Sequence, residues 1–262
     1  MACRVTVLGS CGAWPEPGRA CSGFLVERDG FRLVIDLGYG TLSRLLALLG
    51  SASADGLDAI VITHHHPDHM VDLHGLFRAR WYSRRAGPPI PLFAPEEVLA
   101  HLAAVDDDPL ENIEQAFPWH PLAGHHYEIG PFRLAGFALP HYVPNAGVRL
   151  STDGSVIAYT GDTGADPALV DLARDADLFI ADCTDRQQQN DAVGPSDGRD
   201  LNLTAVQAAQ AAAAAGARRL LLTHFWPGND RERARAEAAE HYAGEILLAE
   251  EGLELDVGTA RH

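Results

Sequence analysis

Apolar and polar residues alternate in short runs along the first sixty positions, cut by Gly, Asp and Pro into strand-sized pieces. Arg4 to Leu8 alternates and ends in Gly9-Ser-Cys-Gly12, predicting a strand that runs into a tight loop. Ser22 to Glu27 and Phe31 to Asp36 predict a hairpin turning at Asp29-Gly30, a pair suited to positive φ. Thr41 to Leu49 has helical spacing and ends at Gly50, which fits a left-handed C-cap. Leu57 to Thr63 is a short apolar run, hence a buried strand. Helices are expected over Val71 to Arg80 and Pro95 to Val105, the second with Pro in its first turn and acids just behind it. A short strand covers Pro91 to Ala94, and Tyr127 to Leu139 reads as strand, turn, strand about Gly130-Pro131. Ser155 to Tyr159 and Leu178 to Ala181 are buried strands, each running into an acidic loop. Thr204 to Ala215 is an Ala-rich helix closed by Gly216, and Arg218 to Thr223 is a strand leading into His224. Strands come first, then strand and helix alternate, twice over. That order predicts an α/β fold of two packed sheets with helices outside.

With 262 residues and 47% hydrophobic content, the chain can bury a substantial core, and 1–262 reads as one domain. Only Gln187 to Gly198 has the polarity of a long surface loop. No basic region with an apolar stretch opens the chain, and no window reaches the 18 apolar residues a membrane span requires. Cys3, Cys11, Cys21 and Cys183 lack C-x-x-C spacing and are expected as free thiols, so the expected compartment is the cytoplasm. A formal charge of −16 sets most of the surface against a large nucleic acid. Arg78, Arg80, Arg84 and Arg85 offer guanidinium forks for phosphate, but the expectation adopted for them is a solvated helix face.

The chemistry concentrates where the Leu57 to Thr63 strand ends, in His64-His65-His66-Pro67-Asp68-His69. Residues two apart on an extended loop project to one side, so His64 and His66 can share a metal. Asp68 and His69 follow the bend at Pro67 and can face a second. Imidazoles suit Zn, Mn or Fe, and a carboxylate offsets the repulsion of two nearby cations. A chance histidine tract would not begin directly after a buried strand, nor carry an acid and a fourth histidine.

With that motif the chain resembles the metallo-β-lactamase superfamily over almost its whole length. The resemblance implies a four-layer αββα sandwich and three later ligands. His141 in Leu139-Pro-His-Tyr, Asp162 in Thr160-Gly-Asp-Thr and His224 in Leu222-Thr-His-Phe match them. It implies that His64, His66 and His141 hold one divalent cation, Asp68, His69 and His224 another, with Asp162 between, Zn2+ being the first expectation for both. Taken singly, His141 is as easily a packed histidine, Asp162 a turn residue and His224 a strand-end residue. Their order at successive strand ends makes them a set. His65, His74, His101, His120, His125 and His126 are read as structural, with His120 and His126 the nearest to the site.

Within the superfamily, Val5 to Gly12, Gly-Asp-Thr and Leu-Thr-His-Phe resemble the ribonuclease Z and phosphodiesterase branch. An Asp at 162, where antibiotic-hydrolysing members usually carry Cys, argues against a lactamase. Met70-Val-Asp-Leu stands where thioesterases usually have Gly-Gly. Ribonuclease Z carries a tRNA-gripping arm between the third ligand and the bridging Asp, yet only 20 residues separate His141 from Asp162. Asp182 and Asn202 stand where that enzyme has Glu and a proton-transferring His, and Asn cannot supply a titrating proton. The catalytic candidates are therefore Asp68, Asp182 and Asn202. The expected activity is hydrolysis of a small, cyclic phosphodiester, with dimers common among relatives. The alternatives are tRNA 3′ processing, thioester hydrolysis, and a metal-holding sensor without catalysis.

Overall fold

The structure, a computed structural model, describes residues 3–83, 87–185 and 201–258; the loop expected at Gln187 to Gly198 lies outside them, as do Arg84 and Arg85. Strand β1 (Cys3–Gly9) leads to the hairpin of β2 (Gly23–Arg28) and β3 (Phe31–Ile35). Its two turn residues, Asp29 and Gly30, take φ of 52° and 85°, the conformation their sequence favours. Parallel strands β4 (Ala59–Val61), β5 (Leu92–Ala94) and β6 (Trp119–Pro121) continue this sheet, and β14 (Glu254–Val257) closes its other edge against β1. In the second sheet β7 (His126–Ile129), β8 (Phe132–Leu139), β9 (Asn145–Thr152) and β10 (Ser155–Tyr159) form an antiparallel meander. Parallel strands β11 (Leu178–Asp182), β12 (Arg219–Thr223) and β13 (Glu245–Leu248) extend it.

The period-two alternation of the strands separates the layers. Val5, Phe24, Val26 and Leu33 point at Leu134, Val148, Ile180 and Leu221 of the opposite sheet and make the central core. The intervening Leu25, Val34 and Ile60 turn outward against α1 (Thr41–Leu49), α2 (Pro67–Tyr82), α3 (Glu97–Asp106) and α4 (Leu110–Ala116). On the far side Ala158, Phe179 and Leu222 pack under α5 (Ala168–Ala173), α6 (Ala205–Ala215) and α7 (Arg231–Ala239). The layers are therefore α, β, β, α, as expected. Each fully buried Leu, Ile or Phe in them is worth about 1.5–3 kcal/mol against exposure. Gly50 and Gly216 cap α1 and α6 in the left-handed region, φ 63° and 68°.

The structure departs from expectation at α2, which starts at Pro67 rather than Val71. Proline fits a first helical position, having the required φ and no N–H to satisfy, and Asp68 then lies at the positive end of the helix dipole. Asp68 and His69 therefore project from a rigid first turn, and the extended segment stops at His66. Arg80 departs too: it is buried, donating to Ser53 O and Pro88 O and pairing with Asp55 at 3.3 Å, so it forms part of the packing rather than a solvated face. Arg78 is the exposed member, paired with Asp106 and lying over the Tyr82 ring. Among the described residues no helix is long and apolar enough to cross a membrane.

Candidate metal centre

The candidate side chains leave the C-terminal ends of strands in both sheets and meet between them. His64 and His66 follow β4, His141 follows β8, Asp162 follows β10, and His224 follows β12. A first group, His64, His66, His141 and Asp162, has donor atoms all within 4.8 Å of one another, and so does a second, Asp68, His69, Asp162 and His224. Asp162 belongs to both. In the first group His66 Nδ1 lies 3.1 Å from both His64 Nε2 and His141 Nε2, so three imidazole nitrogens converge on one point. In the second, His224 Nε2 stands 3.1 Å from Asp68 Oδ2 and 3.2 Å from Asp162 Oδ1. His69 Nε2 is 3.2 Å from the same Asp162 oxygen without the alignment of a hydrogen bond, and both atoms are buried without a hydrogen-bond partner. Buried donors left unpaired are costly, and a cation accepting lone pairs from each would satisfy them. The donor set of imidazoles and carboxylates fits Zn2+ or a similar divalent ion.

His64, His69, His141 and His224 are each aimed by a partner on the other nitrogen, the usual outer-shell arrangement. His141 Nδ1 donates to Leu201 O at 2.9 Å, which leaves Nε2 bare. His69 Nδ1 lies 2.8 Å from Asp36 Oδ2, and that carboxylate also accepts from Tyr159 OH and from Thr63 N and Oγ1. His224 Nδ1 lies 2.7 Å from Thr184 Oγ1 and 3.3 Å from Asp182 Oδ1. Asp182 is fully buried behind His224, accepts from Asn202 Nδ2 at 2.9 Å and does not line the open cavity. Asn202 does line the cavity, and its Nδ2 also reaches Asp162 Oδ2 at 3.4 Å. Asp36 went unrecognised in the sequence, where a lone acid after a strand looks like a turn residue. Its φ of 57° and that of His224, also 57°, are unusual for residues with a Cβ, and such strain gathers at functional sites.

Two glycines allow the close approaches. A Cβ on Gly12 would stand 2.6 Å from His224 Cε1, and one on Gly38 would stand 1.9 Å from Asp68 O. The loop after β1 can therefore lie against the site, and Ala13 N donates to Asp68 Oδ2 at 2.6 Å.

Electrostatics separate the two groups. Burial, with His69 nearby, holds the His64 pKa well below its usual value, and burial with His141 brings His66 down to about 4. Burial also opposes charge on His69, but Asp162, Asp68 and Asp36 outweigh it and push that pKa up to about 10. His224 is likewise raised well above normal, its burial overcome by Asp162 and by hydrogen bonds that it donates to Asp182 and Asp68. Burial would raise Asp68, yet His69 and His224 bring it down to about 2. His64 and His66 are held as neutral imidazoles, while His69 and His224 form ion pairs with Asp68 and Asp162.

Of the other histidines, His65 stacks on His101 at 4.1 Å and His120 on Phe93 at 5.0 Å, while His126 is exposed on β7. Neither His120 nor His126 joins a donor group. A cavity of about 260 Å³ opens over the donors, lined also by Ala13, Tyr142 and Trp226.

A family model described as the beta-lactamase superfamily domain matches residues 31–225. The uncharacterized protein Rv1339 of Mycobacterium tuberculosis is 32% identical, over 93% of this chain and 88% of its own length. A ribonuclease Z of Kineococcus radiotolerans is 30% identical over 90% of this chain and 88% of its own. Among solved structures, the metallo-β-lactamase fold protein YhfI of Bacillus subtilis superposes with a TM-score of 0.79 at 24% identity, covering 98% of this chain and 100% of that one.

Proposed function

The chain belongs to the β-lactamase superfamily of metal-dependent hydrolases, and on that premise we propose that it is a dinuclear phosphodiesterase acting on a small cyclic phosphodiester. The observation that carries this reading is the shared carboxylate: two donor groups meet at Asp162 beneath a cavity of about 260 Å³. His64, His66 and His141 would hold one cation, Asp68, His69 and His224 the other, with Asp162 common to both. Divalent ions bound there would supply an activated water and would neutralise charge developing at phosphorus. Asp68, with its pKa brought down to about 2, stays ionised at neutral pH and serves as donor atom and water acceptor. Its free rotation is limited by the Ala13 N–H and by the α2 first turn. Asp36, Asp182 and the Leu201 carbonyl orient imidazoles, and Asn202 holds Asp182 and Asp162 together.

Similarity to a ribonuclease Z favours a second reading, tRNA 3′ processing. Two observations count against it. The residues between His141 and Asp162 are consumed by β9 and β10 and their two-residue turn at Asp153-Gly154, leaving no length there for an arm. The alignment also runs over 285 positions, more than this chain contains, so the ribonuclease carries insertions relative to it.

The test is a substrate panel with metal content measured on the same sample. Cyclic 3′,5′-nucleotides and bis-p-nitrophenyl phosphate should turn over with two divalent ions per chain. Turnover of thioesters or pre-tRNA alone overturns the proposal. Asp68→Ala should lose turnover far more than stability, whereas a sensor would have had no turnover to lose.

A further inference from the structure

The wall of the cavity is aromatic on both flanks of its floor. Tyr142 follows His141 of the first donor group, ring centroids 5.3 Å apart, and Trp226 comes two residues after His224 of the second. Trp226 is met edge to face by Trp14, centroids 5.0 Å apart and planes at 78°, although Trp14 is 47% exposed. Neither tryptophan belongs to the three hydrophobic clusters that stabilise the layers. The indole pair therefore lies outside the packed core, with Trp226 on the cavity wall and Trp14 backing it. Trp14 also adjoins Ala13, whose N–H holds Asp68, so the same loop carries the aromatic brace and one anchor of the floor.

Among the described residues no Arg or Lys lines this cavity. From these described walls a bound anion would gain no cationic side-chain partner, and charge would reach it from the proposed cations at the floor. What the described walls offer is flat aromatic surface. We propose that Trp226, braced by Trp14, is the stacking platform for the base of a nucleoside cyclic phosphate, so that this pair selects a nucleotide among small diesters. This rests on the phosphodiesterase reading above. Edge-to-face packing preorders the Trp226 plane, so little side-chain freedom is lost on binding. A purine has the larger π face to lay on it.

The experiment compares wild type with Trp226→Ala, Trp226→Phe and Trp14→Ala, all metal-loaded, on a purine cyclic 3′,5′-nucleotide and on the methyl riboside cyclic phosphate that lacks the base. Stacking losses of 1–3 kcal/mol per base predict that the nucleotide-to-riboside ratio of kcat/KM falls about 5–150-fold in Trp226→Ala, chiefly through KM. Trp226→Phe should retain most of the ratio and Trp14→Ala should fall between. An unchanged ratio, or equal losses on both substrates, overturns the platform and leaves the phosphodiesterase standing. If wild type turns over neither substrate, the phosphodiesterase reading fails. Calorimetric binding of a purine mononucleotide then decides alone: weaker binding in Trp226→Ala supports the platform, and equal or absent binding in both proteins overturns it.

Discussion

Asp36 shows how much of the candidate site depends on a side chain that touches no substrate. Its carboxylate takes Thr63, Tyr159 and His69 at once, from a backbone position with φ 57°. Asn and Asp both tolerate that left-handed conformation, so Asp36→Asn changes the hydrogen bonding and not the backbone. The amide presents a donor where donors already point, leaving at least one buried group unpaired. Expected costs are about 1–3 kcal/mol of stability and about 10–100-fold in metal affinity. Urea unfolding and chelator competition read the two, and wild-type metal affinity in the variant would sink the assignment of Asp36 as the group that aims His69. The raised histidines set a pH dependence for metal-stripped protein. His69 has a folded pKa of about 10 against an ordinary value of 6.5, so folding binds its proton more tightly. The stability from its ion pairs is complete below about pH 6.5 and is lost as pH rises through about 10. Chelator-treated protein should therefore show a urea midpoint that declines between pH 6.5 and 10. A flat midpoint across that window contradicts the ion-paired second group.

Among the elements, α6 ties the second sheet to the site. Thr204 caps it in a full capping box with Gln207, directly after Asn202 and Leu203, whose amides reach Asp182. Thr204→Ala should cost about 1 kcal/mol in equilibrium unfolding, and an unshifted denaturation midpoint would show that the cap contributes nothing. The Asp29-Gly30 turn and the Gly50 and Gly216 stops were legible in the sequence because each signal is local, whereas Thr204, expected as the first helical residue, is the N-cap of α6. The α7 helix was not. Arg231 to Ala239 is charged on nearly every side and buries only Ala234 and Ala238, leaving no apolar face to read. The short β6, β13 and β14 escaped for the opposite reason, as three or four residues cannot display a period. The motif His64 to His69 announced itself through spacing, whereas His141 and Asp162 became meaningful only through the family resemblance. Asp36 lay beyond either signal, since its partners are 27, 33 and 123 positions away in the chain.

For the whole molecule, charge decides which substrates arrive. The formal charge of −16 surrounds a floor where the proposed cations would form a local positive spot. A polyanion would meet repulsion over its whole length, while the proposed monoanionic cyclic diester would meet it once and be drawn to the proposed cations at short range. Proteins that bind nucleic acid through basic contacts lose affinity steeply as salt rises, because binding releases counterions. With long-range repulsion to screen instead, this protein should respond in the other direction or hardly at all. The expected result is that kcat/KM for a cyclic nucleotide stays flat within about twofold, or rises, between about 50 mM and 200 mM salt. Cleavage of a pre-tRNA should stay negligible throughout. A fall of about tenfold or more over that range would reveal a basic substrate-binding surface that the net charge conceals, and would return long nucleic acids to consideration.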